Sequence, residues 1–293
     1  MEHTPGKSSD TTKKWLIGCG IGCGAVALIL ILLGVGGFFF VRNIVQEFEE
    51  SEELLSSLTE KYGRIREYCP DPDGIIRGER LEVFLSARQA CDPARLELEK
   101  ALSTLSEGFE KGENEAKARK GFFRMLGVGF GLIPQIADYF KARNQALVDA
   151  GMGVGEYYYI YVVAYYSWLG KDPEDGPPFS MTNEEDFKDW DWDEEDLKEV
   201  RRDDVLRKLN RMMLPVLRNQ YAKLSEGELI ESQEDWQEIL AAEVAAMEAD
   251  RFRLLWQDGL PDVIKASLLP FRERLEASYS PMVNTLEIAL EQR

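Results

Sequence analysis

The chain has 293 residues, 53 of them acidic against 35 basic, for a formal charge of −18 at neutral pH. An excess of that size repels nucleic acid and anionic headgroups and attracts cations or basic partners, so nucleic-acid binding is excluded. The single histidine is His3, which removes Ser-His-Asp and Cys-His catalysis and His-ligated metal sites from everything after it.

Residues 1–14 read as a short polar tail. From Trp15 to Val41 run 27 residues without a charge, Asn, Gln or Pro. As a helix that stretch is roughly 40 Å long, more than the ~30 Å hydrocarbon core needs. A cleavable signal has an apolar region of about 7–15 residues before a small-residue cleavage site. Here the run passes through Phe38, Phe39 and Phe40, and an uncleaved transmembrane helix over 15–41 is expected. Leu16-Ile17-Gly18-Cys19 has the residue types of a lipidation box, but the apolar region follows the cysteine instead of preceding it, which rules lipidation out.

Lys7, Lys13 and Lys14 precede the span and Arg42 alone follows it. The tail is therefore expected in the cytoplasm and the remainder outside, in a bacterial periplasm. The chain has no Asn-x-Ser/Thr acceptor, in keeping with that source. The tail carries a formal +1, which leaves −19 for the rest. Within the span, Gly18/Gly22 and Gly20/Gly24 are two overlapping GxxxG pairs. Small residues four apart share a helix face and let two backbones approach, as in a homodimer seam or a face for another subunit. The plain alternative is that glycine is frequent in membrane helices.

Ile44, Phe48, Leu55, Leu58 and Tyr62 share one helical face, which predicts a stalk over 42–62 that lifts or docks the domain and stops at Gly63. "CPDPDG" (69–74) is a turn-rich connector. A helix follows with Leu81, Phe84 and Leu85, and Asp92-Pro93 opens or kinks the next, which carries Leu98, Leu102, Leu105 and Phe109. Residues 107–120 read as a polar link. "GFFRMLGVGFGLIP" (121–134) is too short to span and carries Arg124. It is read as a buried helix packed through its glycines, with a segment lying on the membrane surface as the alternative. The helical pattern continues from Pro134 to a break at Gly151–Gly155.

"EYYYIYVVAYYSWLG" (156–170) has the composition of a strand, but it is long for one and has no visible partner. A helix apolar on all sides is expected, central and buried, in preference to an aromatic platform for a ligand. Residues 171–200 read as an acidic loop between a first helical part, 63–170, and a second, 201–293. Asp189, Asp191 and Asp193 alternate like calcium-loop ligands, but Glu194 stands where glycine is needed and Val200 where a bidentate acid is needed. A solvated acidic loop is expected, and no metal or cofactor site is assigned. In the second part, Leu206, Leu209, Met213 and Leu217 form one stripe, and Trp236, Leu240, Val244, Met247 and Leu254 another that runs to Gly259. Pro261 and Pro281 start further helices, and Pro215 and Pro270 predict kinks.

Cys69 and Cys91 fall outside the membrane, where an oxidising compartment would let them pair. The bridge is the favoured expectation, with two separate buried thiols as the alternative.

"WLIGCGIGCG…GGFFFVRN", "PDGIIRGERLEVFLSARQA" and "GMGVGEYYYIYVVAY" resemble stretches in uncharacterised bacterial proteins with one amino-terminal membrane helix and an exported helical domain. The resemblance covers roughly the first 170 residues. It implies a bacterial source and this architecture, and brings no activity or site residues with it.

The expected fold is all-α: an anchor, a stalk and a periplasmic multi-helix bundle. The expected function is that of a non-enzymatic scaffold or accessory subunit, bound to the lipid bilayer through 15–41 and to a protein partner or a second copy. The alternatives are a ligand-binding module for calcium or cell-wall fragments, and a hydrolase built on paired carboxylates.

Overall fold

A computed structural model of the chain describes residues 50–110, 115–176, 194–226 and 231–289. The tail, the predicted span with Gly18, Gly20, Gly22 and Gly24, the first part of the stalk, and Asp189, Asp191 and Asp193 lie outside the described residues. Among the described residues every regular element is helical, and no helix is long and apolar enough to cross a membrane. The all-α expectation holds.

Residues 50–62 form α1. Gly63, at a φ of 80°, ends it by donating to the Thr59 carbonyl at 2.9 Å, a left-handed cap that glycine adopts without a Cβ clash. This helix is packed into the body: Leu58 is 1% exposed, Leu55 and Tyr62 pack against the core, and Asn144 donates to the Ser51 carbonyl and hydroxyl. The second half of the predicted stalk is thus a structural helix of the domain. The same apolar stripe that suggested a rod is what buries it.

After a 3₁₀ turn at Ile65–Glu67 come α2 (Gly78–Ala90), α3 (Asp92–Glu110) and α4 (Glu115–Ala150). α4 runs for 36 residues with Pro134 inside it. The predicted link therefore shrinks, because its two ends are helical, and the helix continues through Pro134 as expected. The segment 121–134 is part of α4, and its side chains before Leu132 are outside the described set. α5 (Val154–Tyr161) flows into a π-helix at Val162–Trp168, and α6 (Glu194–Ser225) follows the loop. α6 begins inside the predicted acidic loop, since Glu194, Glu195 and Asp196 suit the positive end of a helix dipole. It continues through Pro215, where one backbone donor is missing.

α7 (Glu231–Ala249) ends ten residues before Gly259. Asn210 stops it from the side, its amide donating to the Met247, Asp250 and Arg253 carbonyls at 3.0, 3.1 and 3.4 Å. Glu243 then accepts from the Trp256 backbone N–H and from Arg253, at 2.7 and 2.8 Å, and folds the segment back. The chain closes with α8 (Asp262–Leu268), a 3₁₀ turn containing Pro270, α9 (Arg272–Ser278) and α10 (Pro281–Ala289).

α3 packs along α4, α6 pairs with α7, and α10 touches both α3 and α6. α5 and the π-helix thread the middle: every residue from Tyr157 to Tyr166 is buried. The aromatic stretch is the central helix, as its all-round apolar pattern predicted. Its second half is π because Leu169 donates to Ala164, five residues back, at 3.0 Å. That register stacks residues five apart, so Tyr161 and Tyr166 both donate to Asn284 Oδ1, at 2.8 and 2.7 Å. The Asn284 amide in turn donates to the Pro173 and Asp175 carbonyls at 3.0 and 3.1 Å, which pins the chain leaving the π-helix.

Candidate functional site

Two polar constellations lie inside this frame, one sealed and one open. The sealed one centres on Glu287 of α10 and Arg88 of α2, 1% and 4% exposed. Arg88 Nη1 donates to both Glu287 oxygens at 3.1 and 3.3 Å and to the Tyr157 hydroxyl at 2.7 Å. Tyr157 donates to Glu287 Oε2 at 3.0 Å, and Tyr139 donates to Oε1. The other side of the guanidinium donates to the Ser278 carbonyl from Nε and Nη2, at 3.0 and 2.8 Å. Tyr158 donates to the Glu287 carbonyl and accepts from Arg143, whose guanidinium also holds Asn144. One chain of bonds thus joins α1, α4, α5, α10, α2 and α9. Burial, with the Glu287 charge beside it, holds the Tyr139 phenol well above its ordinary value. A buried ion pair satisfied on all sides positions elements, and its tyrosines stay protonated donors.

The open constellation is a pocket of about 290 Å³ between the 68–77 loop and the first turns of α2 and α5. The loop is shaped by its own residues. Gly74, at a φ of 74°, donates to the Asp71 carbonyl at 3.0 Å, and Asp73 accepts from the Ile75 N–H at 3.0 Å. α6 holds the loop from behind. Asn219 donates to the Arg66 and Tyr68 carbonyls at 2.9 and 3.1 Å, and Gln220 to the Asp71 carbonyl at 2.7 Å. α5 approaches closely because Gly155 has no side chain: a Cβ there would stand 2.5 Å from Tyr68 Cβ.

Both arginines of the lining are engaged. Arg80 makes a bidentate pair with Glu156, at 2.6 and 2.5 Å, and Arg77 bonds Asp71 at 3.3 Å and Asp73 at 2.5 Å. Glu79 also lines the pocket and has no ion-pair partner among the described residues. Tyr159, 2% exposed, lies behind the loop with its ring 5.8 Å from that of Tyr68, and its hydroxyl meets no hydrogen-bond partner. Burial, and then the Asp71 charge, raises the Tyr159 phenol above its ordinary range.

Of the predicted site residues, Cys69 lies on the pocket wall and Cys91 does not. They are two separate thiols: Cys69 donates to the Pro70 carbonyl at 3.5 Å, and Cys91, capping the end of α2, to the Ala87 carbonyl at 3.0 Å. Burial pushes the Cys91 thiol up to about 12. Among the described residues no group of His, Cys, Asp and Glu has a metal-binding arrangement. Sequence reasoning missed Arg80, Glu156, Tyr159, Arg88 and Glu287. Arg80 and Glu156 are 76 positions apart and Arg88 and Glu287 are 199 apart, so no local pattern marks them.

Comparison of the chain with protein-family models, with curated proteins and with solved structures gives no match, so the pocket is read from its own chemistry.

Proposed function

We propose that the protein is a non-enzymatic, single-pass membrane protein of the bacterial envelope. Residues 15–41 anchor it in the bilayer, and an acidic helical domain outside the cytoplasm engages a basic protein partner. Charge carries this reading: acidic residues exceed basic ones by 18, and among the described residues the buried charges cancel, Arg88 and Arg143 against Glu243 and Glu287, so burial leaves that excess undiminished. A field of that sign accelerates encounter with positively charged surfaces and disfavours anionic ones. The Gly18/Gly22 and Gly20/Gly24 faces allow the anchor to pair with a second copy or with the partner's own membrane helix.

Intact protein crosslinked in cells and purified in mild detergent is expected to carry one stoichiometric, basic partner. Before crosslinking, the complex should dissociate as salt rises from about 0.1 to 1 M, where screening shortens from about 10 to 3 Å. A protein recovered alone, or a partner indifferent to salt, would sink the proposal. Protease added to spheroplasts is expected to digest the helical domain, and a protected domain would reverse the topology.

The pocket under the 68–77 loop favours a second function, ligand binding, in which the same anchored domain captures a small molecule outside the cell membrane. Residual protein stabilisation by that ligand, measured as a melting shift of the full chain, tests it.

A further inference from the structure

Residues 69–76, which form one wall of the pocket, are bonded to themselves more than to the domain. The Gly74 N–H donates to the Asp71 carbonyl at 3.0 Å, the Ile75 N–H to Asp73 Oδ1 at 3.0 Å, and the Cys69 thiol to the Pro70 carbonyl at 3.5 Å. Arg77, at the exit, ties Asp71 and Asp73 together at 3.3 and 2.5 Å. A loop closed on itself in this way moves as one piece, because lifting it breaks none of these bonds.

Both ends of the piece are fixed. Asn219 holds the Arg66 and Tyr68 carbonyls at 2.9 and 3.1 Å, and α2 begins at Gly78. Between those ends, the described residues give a single hydrogen bond from the body of the domain, from Gln220 to the Asp71 carbonyl at 2.7 Å. The rest of the hold is burial of Pro70, Gly74 and Ile76.

Beneath the segment lie three buried polar groups with no hydrogen-bond partner: the Tyr159 hydroxyl, Gln220 Oε1 and the Trp236 indole N–H. All three belong to residues packed on this stretch of chain. The Tyr159 ring lies 5.8 Å from that of Tyr68, Gln220 bonds Asp71, and a Cβ added at Gly74 would stand 2.6 Å from Trp236 Cζ2. Burial without a hydrogen bond is unfavourable for each group, and that cost vanishes once water reaches it. Apolar burial holds the segment down and the three groups oppose it, which places a lifted form close in free energy to the closed one.

We propose that residues 69–76 are a flap that lifts as a unit about its fixed ends and joins the pocket to the polar groups beneath. Closed, the pocket presents its charged lining, and the Tyr159 hydroxyl is sealed from it. Open, it gains a floor of three uncharged hydrogen-bonding groups: a phenol, a carboxamide and an indole N–H. The flap thus sets which chemistry an incoming molecule meets. The inference rests on the ligand-binding function proposed above in naming what controls entry, but its test uses no ligand, so the two fail separately.

Trp236 reports the motion. Its indole N–H makes no hydrogen bond, so it exchanges with solvent whenever the flap lifts, without unfolding. The full chain, labelled with nitrogen-15 tryptophan and held in detergent, is transferred to heavy water and followed by NMR, the Trp236 signal being the one lost in W236F. Its exchange is expected to be nearly independent of urea below the unfolding transition, because a lifted flap exposes little surface. G74A presses a methyl group against the Trp236 ring and is expected to raise the rate about tenfold or more. Y159F removes one uncompensated group and no hydrogen bond, and is expected to lower the rate at least about threefold. Y159F decides the matter if G74A does not fold. Exchange that follows urea as global unfolding does overturns the flap. Faster exchange in Y159F overturns it too, since the phenol would then be bonded in the closed form. A rate that neither variant changes shows that another motion exposes Trp236, and the flap falls with it.

Discussion

Glu287 and Arg88 meet in the core with all four lone-pair directions and most guanidinium donors in use, and that completeness determines what substitution does there. E287A strands a buried cation and is expected to cost about 3–5 kcal/mol in urea unfolding. Replacing both partners in R88M/E287L should cost less than E287A alone, because no charge remains to be compensated. A double variant worse than the single one would contradict this account. The hydroxyls of neighbouring tyrosines should also differ. Y157F gives up bonds to Arg88 and Glu287 and is expected to lose about 1–3 kcal/mol, while Y159F gives up none and should be near neutral. Comparable losses at the two positions would show that Tyr159 is bonded after all.

At the scale of elements, close approach is decided by single glycines. At Gly155 an added Cβ meets the Tyr68 Cβ, on the loop that shapes the pocket, at 2.5 Å, and the Ile65 carbonyl oxygen, in the 3₁₀ turn before it, at 3.2 Å. At Gly78, the first residue of α2, it meets only the Phe271 ring edge at 3.6 Å. G155A is therefore expected to cost about 1–3 kcal/mol by overpacking, and G78A to fall within about 0.5 kcal/mol of the parent. Melting curves of the two variants compare them directly, and equal effects would remove the packing argument. The π-helix is the other element-scale device. It puts Tyr161 and Tyr166 on one acceptor, which α-helical register would hold on different faces.

At the scale of the molecule, the tyrosine core makes the domain sensitive to alkali. Burial is the leading cause that holds Tyr139, Tyr157, Tyr161 and Tyr166 well above the ordinary phenol value of 10.0. Below that value the phenols are protonated in both states and their contribution is fully present. Above it the unfolded chain releases protons that the folded chain retains, so stability falls by about 1.4 kcal/mol per pH unit for each tyrosine. The phenolate absorbance of these four tyrosines is expected to rise together with the loss of helical circular dichroism. Ionisation of these tyrosines well before unfolding would mean that the core is open to water.

Composition and periodicity alone determined the all-α class, the central position of 156–169 with its buried run from Tyr157 to Tyr166, and most of the stripes that became core, such as Leu209, Met213 and Leu217. These follow from hydrophobic burial, which is encoded every three or four residues and needs no knowledge of distant partners. The sequence also placed a turn at 69–74 from its Pro, Asp and Gly, without marking it as a pocket wall. What only the tertiary structure decided is where polar groups go. Arg80 reaches Glu156, Arg88 reaches Glu287, Asn210 ends α7, and Tyr159 is left without a partner. Each outcome depends on which side chain the fold brings within about 3 Å, a matter of packing between segments far apart in the chain.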